Sequence, residues 1–169
     1  ETQEPWQDLA RLLAEGEIEG AVLDTVEVRS SIARRLGVDI GAAAPPGRIV
    51  EGIVEMMLDA TQNYHEPLAE ERLFAWHASL FPAGRERVHF EAPAAIRLEQ
   101  EMKAFLDWFN RDDDTDPVLR AGIAHLWFVT IHPFDDGNGR IARAIADMTL
   151  ARSEASSQRF YSMSAQIRN

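Results

Sequence analysis

Apolar residues recur at every third or fourth position through most of this chain, and only a helix gathers such positions onto one face. Trp6, Leu9, Leu12 and Leu13 suggest a short first helix. Asp24-Thr25-Val26-Glu27 reads as a variant capping box, with the Asp24 carboxylate capping the turn and Glu27 reaching back. That helix should run to Leu36, with Gly37 as its left-handed stop. Gly41 to Gly47 is rich in Ala, Pro and Gly and reads as a loop. Further stripes follow at Ile49, Ile53, Met56, Met57 and Ala60, then at Leu73, Trp76, Leu80 and Phe81, ended by Pro82. The next is Leu98, Met102, Phe105, Leu106 and Phe109. Arg111 to Asp116 has no apolar residue and reads as a turn, with Asp116 capping and Pro117 at the first position of another helix. That helix carries Leu119, Ile123, Leu126, Trp127 and Val129 up to Ile131. It is apolar on more than one side, so a central, buried place is expected. Only Arg87 to Phe90 alternates like a strand. The expected fold is all-α, with at most one short β-hairpin near Arg85 to Phe90.

A length of 169 residues fits one domain with a single core, and 46% hydrophobic content with four Trp and eight Phe can fill it. Charged residues at 27% argue against a disordered chain. The net charge of −11 opposes non-specific binding to nucleic acid or anionic membranes. A local cationic pocket carrying Mg²⁺ can still take ATP against that field. The absence of cysteine excludes disulfides, thiolate catalysis and Cys-based zinc sites, and it fits a reducing compartment. No long apolar run predicts a membrane span, and the acidic start from Glu1 to Asp8 is unlike a signal peptide. The expected location is the cytoplasm.

The chemistry concentrates in one segment, His132-Pro133-Phe134-Asp135-Asp136-Gly137-Asn138-Gly139-Arg140-Ile141-Ala142-Arg143. Pro133 ends the preceding helix. Gly137 and Gly139 permit a tight turn, and a helix resumes from about Arg140 through Ile141, Ile145 and Met148. A glycine turn entering a helix N-terminus is an anion site, because backbone N–H groups and the positive dipole end converge there. Arg140 and Arg143, three apart, are neighbours on that helix, and arginine suits phosphate through its two-pronged donor fork. Asp136 beside phosphates calls for a bridging cation, and Mg²⁺ fits. His132 is the natural proton acceptor. These parts suit phosphoryl-type transfer at a Mg²⁺-bound nucleotide. The plainer alternative is an interhelical loop with a surface histidine and capping arginines.

This segment resembles the Fic signature, H-P-F-x-[D/E]-G-N-G-R-x-x-R, at every defined position. Val28 to Ile32, Trp76-His77, Phe90 to Pro93 and Phe160 to Ser164 are similar to flanks of one bacterial Fic subgroup. The resemblance implies a Fic-like helical bundle that transfers AMP from ATP to a Ser, Thr or Tyr hydroxyl of a target protein. It implies His132 as general base and Asp136 as the Mg²⁺ ligand at the α- and β-phosphates. Gly137, Asn138 and Gly139 would cradle phosphates through backbone N–H groups and the Asn138 amide. Arg140 would bind on the β-phosphate side and Arg143 at the γ-phosphate. Phe134 would anchor the loop in the core. A lysine before Arg140 marks relatives that act as kinases; Gly139 stands there and favours AMP transfer.

Many Fic proteins also carry an inhibitory helix ending in Glu-Gly or Glu-Asn. Ile18-Glu19-Gly20 resembles its end, although Glu15 occupies the usual Ser/Thr slot. By that resemblance residues 1–23 form an inhibitory segment ahead of a single Fic domain spanning 1–169, and Glu19 pairs with Arg143. In some relatives the same glutamate helps remove AMP from the target. Relatives have a longer hairpin flap that takes the target by strand addition. Here only Ala83 to Phe90 separates Pro82 from Glu91, so a short hairpin is expected. The family often continues past the point matching Asn169, and a homodimer is an expectation carried from relatives. Three readings stay open: an AMP transferase inhibited by Glu19, a locked ATP- or ADP-binding module or de-AMPylase, and a transferase using another nucleotide donor.

Among other residues, His125 is expected to pack within its helix. His65, His77 and His89 show no zinc spacing. Trp76, Trp108 and Trp127 are expected in the core, and Asp112 to Asp114 in a solvated turn.

Overall fold

The computed structural model of the protein describes residues 24–37, 45–81 and 92–156. They hold six helices and no strand: α1 Thr25–Leu36, α2 Arg48–Gln62, α3 Glu70–Leu80, α4 Ala92–Phe109, α5 Pro117–Ile131 and α6 Asn138–Glu154. The expected all-α architecture is observed. The expected first helix, the hairpin near Arg85 to Phe90 and Glu19 lie outside the described residues. No described helix is long and apolar enough to cross a membrane.

The helix ends follow local chemistry. Asp24 Oδ1 accepts from the Val26 N–H at 2.7 Å, and Gly37 closes α1 with φ 70°. Asp116 Oδ1 accepts from Val118 and Leu119 N–H at 3.0 Å each, with Pro117 behind it. The reach-back expected of Glu27 is replaced: its Oε2 accepts from the Gly47 N–H at 3.2 Å. Gly47 is the N-cap of α2 and has no side chain to satisfy that turn, so Glu27 serves the neighbouring helix instead of its own.

The central helix is α6, not α5. It packs on α5, α2 and α3 and buries Ile141, Ile145, Met148 and Leu150 among small alanines. The expectation that α5 would be buried all round is corrected. α5 turns Ala121, Ala124 and Phe128 inward, at helical spacing, and the alanines let it lie close along α6. Its other side exposes Val118, Leu119, Ile123 and Leu126, with Leu126 68% exposed. An all-round apolar pattern marks a helix that can be covered on any side; only the inward side is covered by the described chain. Ile49 on α2 is exposed in the same way.

One continuous core joins the layers, with Phe105 touching Phe109, Phe128, Trp108 and Trp127. Trp76 is buried as expected, while Trp108 and Trp127 are half-buried at its margin. At the end of the bundle away from the motif, arginines satisfy carbonyls where helices stop. Arg152 donates to Tyr64 O at 2.6 Å, Glu66 O at 2.8 Å and Phe109 O at 3.3 Å. Arg120 donates to Trp108 O at 2.9 Å and pairs with Asp113. Asp113 is therefore not merely solvated: it also accepts from the Thr115 N–H, and that bond, with help from Arg120, holds its carboxyl at about 2. Burial beside Arg72 and Arg120 lowers Arg152 to about 10, which leaves it charged at neutral pH.

Between α2 and α3, Asp59 accepts from Arg72 Nε at 2.8 Å, Trp76 Nε1 at 2.7 Å and Asn63 Nδ2 at 2.7 Å. Burial pushes this carboxyl up, but the three bonds outweigh it and leave the group below its ordinary value. These bonds lock α3 against α2, and α3 is the helix that supports the motif.

Candidate active site

α5 ends at His132, whose backbone turns left-handed (φ 52°, ψ 57°) while its N–H still bonds Phe128 O at 3.0 Å. Such a conformation is uncommon outside glycine and is tolerated better by His, Asn and Asp than by bulky residues. It releases the chain from the helix and leaves the His132 side chain exposed. Pro133 cannot continue the helix. Phe134 then drops inward, 5% exposed, and fixes the loop to the core.

The loop closes on itself through Asn138. Its Oδ1 accepts from the Phe134 N–H at 3.0 Å, and its Nδ2 donates to Phe134 O at 2.5 Å. Asn138 is 2% exposed. The amide therefore clasps the loop from within, so the side chain expected to cradle phosphate is engaged with Phe134 instead. Asn138→Ala leaves both backbone groups of Phe134 buried without this partner. A loss of about 2–4 kcal/mol is expected, read as a lowered thermal midpoint.

Gly137 is the N-cap of α6 at φ 80°. A Cβ there would lie 3.0 Å from Phe81 Cε2 and 3.3 Å from Leu80 Cδ1. Both the dihedral and the close packing on α3 and the residue that follows it require glycine. Asp136 Oδ1 accepts from the Gly137 N–H at 2.7 Å and stands 3.5 Å from Arg140 Nη2, with the Asp136 side chain 37% exposed. Arg140 lies over the Phe81 ring, 5.3 Å from its centroid. Arg143 sits one turn further along α6, beside His125. The structure thus brings His132, Asp136, Gly137, Asn138, Gly139 and Arg140 into a single turn between α5 and α6, with Arg143 on the next turn.

Two residues under this turn stand out in the sequence only as a family flank (His77) and as part of an apolar stripe (Phe81), not as neighbours of the motif. His77 stacks on Phe134 (4.4 Å between centroids, 13° between planes), leans on Phe81 and hydrogen-bonds the Asp136 backbone. Phe81 supports Gly137 and Arg140. Both come from a segment more than fifty residues away, so no local spacing reveals them. His125 packs on α6 as expected, with its ring bonded to the Ala142 backbone.

Burial lowers the pKa of His77, against the pull of Asp136 and Asp135. Burial, then the Arg143 charge, lowers that of His125. A histidine lowered on folding binds fewer protons than in the unfolded chain, so its stabilisation is full above pH 6.5 and is lost as pH falls below it. Asp59 acts lower: its stabilisation is present above 3.8 and is lost as pH falls through its depressed value. Thermal midpoints measured against pH should therefore fall in two stages on acidification, and His125→Gln should shrink the first while sparing the second.

The match to the Fic/DOC family model spans residues 60–150, more than half of the chain and including the whole motif. This chain belongs to the Fic/DOC family. A Fic family protein from Desulfovibrio desulfuricans G20 superposes with a TM-score of 0.60 at 23% identity, over 89% of this chain and 50% of that one, and shares the fold. Among curated Fic relatives, protein adenylyltransferase fic-1 of Caenorhabditis elegans is 46% identical over 57 residues, 32% of this chain and 11% of that protein. Protein adenylyltransferase Fic of Nematostella vectensis is 39% identical over 84 residues, 45% of this chain and 20% of that protein. The matched region of this Fic chain thus spans a fifth or less of these relatives' length.

Proposed function

We propose that this chain is the catalytic domain of a protein adenylyltransferase, moving AMP from ATP to a Ser, Thr or Tyr hydroxyl of a target protein. The observation that carries the reading is the single turn that sets an exposed histidine, a carboxylate and a helix N-terminus flanked by two arginines side by side. The names of the curated Fic relatives point the same way.

His132 takes the proton of the target hydroxyl. The oxygen then attacks the α-phosphorus, forming one O–P bond as the bond to pyrophosphate breaks and pyrophosphate leaves. Backbone N–H groups of Asn138 and Gly139 face the phosphates at the start of α6, while the Gly137 N–H is taken by Asp136 Oδ1 and Gly137 serves the cradle through its left-handed turn. Arg140 and Arg143 hold the β- and γ-phosphates.

The donor set at Asp136 suits Mg²⁺. Among the described residues no three His, Cys, Asp or Glu side chains gather as a metal cage. A part-exposed single carboxylate beside a phosphate cradle is how Mg²⁺ is commonly taken up, with phosphate oxygens and water completing its shell. Bound there, Mg²⁺ supplies charge neutralisation on the α- and β-phosphates.

Glu19 is the proposed lock, pairing with Arg143 and keeping the γ-phosphate from its productive place. Transfer of labelled AMP from α-labelled ATP tests both parts. With Mg²⁺ and a cell lysate as acceptor, Glu19→Gly is expected to raise labelling at least about tenfold over the unaltered chain, the release expected from one lost inhibitory coupling. ATP should outperform GTP, CTP and UTP as donor. Binding of ATP without transfer by either form would favour a locked binding module instead.

A further inference from the structure

Beside the motif lies a groove of about 380 Å³ that the transfer chemistry does not use. Phe74 of α3, Leu98 and Met102 of α4, and Pro133 and Phe134 of the motif loop form its walls. Phe74 is 53% exposed, with its ring edge-on to Phe134 at 5.9 Å. Phe74 does not stand alone but joins Leu98, Met102, Pro133 and Phe134 in one apolar wall, and a contiguous apolar patch rimmed by polar residues marks an interaction site. The volume matches sites that enclose a side chain or a small ligand.

Two observations choose the occupant. The groove reaches Pro133 and Phe134 but none of the residues from Asp135 to Arg143. Its wall thus includes the residue directly after His132, the proposed base for the acceptor hydroxyl, and excludes the phosphate cradle. Its rim carries the exposed carboxylates Glu70 and Glu99. Two negative charges oppose any part of an anionic nucleotide and favour a cation.

Resting on the adenylyltransferase reading, we infer that this groove is a subsite for the target protein, taking a large apolar side chain within about three residues of the modified hydroxyl and a Lys or Arg beside it. An extended peptide advances about 3.4 Å per residue, so a neighbour two or three positions from a hydroxyl at His132 reaches the wall that begins at Pro133. Met102 lends the wall a flexible side chain that adapts to Leu, Phe or Met.

The test uses the full chain, without nucleotide, and fluorescent peptides that each carry one Ser. One series places Phe at each position within three residues of the Ser with Lys beside it; the control series has Gly and Asp at those positions. Anisotropy is expected to show at least about tenfold tighter binding for the best Phe-Lys peptide, the scale of one buried aromatic side chain. Phe74→Asp should bring the two series to nearly equal affinity, and Glu99→Lys, which leaves Glu70 opposite a new positive charge, should remove the preference for Lys over Asp. Both positions are exposed, and an unchanged thermal midpoint for each variant separates lost binding from lost folding. Equal binding of all peptides, or a preference that survives Phe74→Asp, overturns the inference. So does a concentration-dependent dimer that Phe74→Asp abolishes, since the groove would then belong to a second copy. Because binding is read without ATP, selective peptides that are bound but never labelled would contradict the transferase reading alone; labelling without selectivity would contradict the groove alone.

Discussion

Replacing His132 by asparagine is expected to lower AMP transfer by about 10²–10⁴-fold, the usual worth of a positioned general base, and to leave the fold intact. The side chain is exposed and none of the core depends on it. Asparagine is the informative substitute because it accepts the left-handed backbone that position 132 adopts (φ 52°), whereas alanine adds strain of about 1 kcal/mol. Asparagine cannot take a proton at neutral pH. The loss should fall on the rate at saturating ATP rather than on ATP affinity, because the proposed roles give the phosphates to the turn after residue 136 and not to the imidazole. Transfer kinetics on the Glu19→Gly background, with ATP binding measured separately, read both quantities. A fall in ATP affinity with an unchanged rate would assign His132 to binding.

Gly52→Ala is expected to be the most damaging single substitution in the scaffold. Gly52 lies inside α2, where a Cβ would sit 1.8 Å from Ser79 O and 2.6 Å from its carbonyl carbon. Both atoms are backbone, so no rotamer change relieves the clash and α3 must move off α2. Overpacking of this kind costs about 3 kcal/mol, which for a chain of this size lowers the thermal midpoint by roughly 6–12 °C. The consequence reaches the motif, because Ser79 adjoins Leu80 and Phe81, which support Gly137 and Arg140. Transfer should therefore fall even at temperatures where the variant stays folded. Gly122→Ala is the internal control: Gly122 is also within a helix, and nothing lies within 4 Å of its added Cβ. Its midpoint should hold or rise, by up to about 1 kcal/mol of helix propensity. Equal midpoints for the two variants would show that α2 and α3 are not locked at this crossing.

What the sequence reveals here is what is encoded locally. Asp24, Asp116, Pro117 and Gly37 each mark a helix end because a cap involves residues two or three apart. The motif is legible for the same reason: its members are contiguous, so one turn must gather them. The order of burial was not legible. The apolar run from Leu119 to Ile131 identifies a helix but not which neighbours cover it, and α6, with its alanine-rich stripe, takes the centre because small residues admit close neighbours on several sides. Glu27 bonding Gly47, and His77 and Phe81 lying beneath the motif, depend on how distant segments meet, which no spacing within one segment records. Asn138 falls between these cases. Its place in the motif is readable, but its engagement with Phe134 requires the turn to be folded.

The central claim is that the α-phosphorus is attacked and AMP stays on the target. The most direct measurement incubates the Glu19→Gly chain, Mg²⁺ and acceptor protein with ATP labelled either at the α- or at the γ-phosphate. The account predicts protein-bound label from the α-labelled donor alone, lost with His132→Asn. Protein-bound label from the γ-labelled donor alone would make the chain a kinase and contradict it.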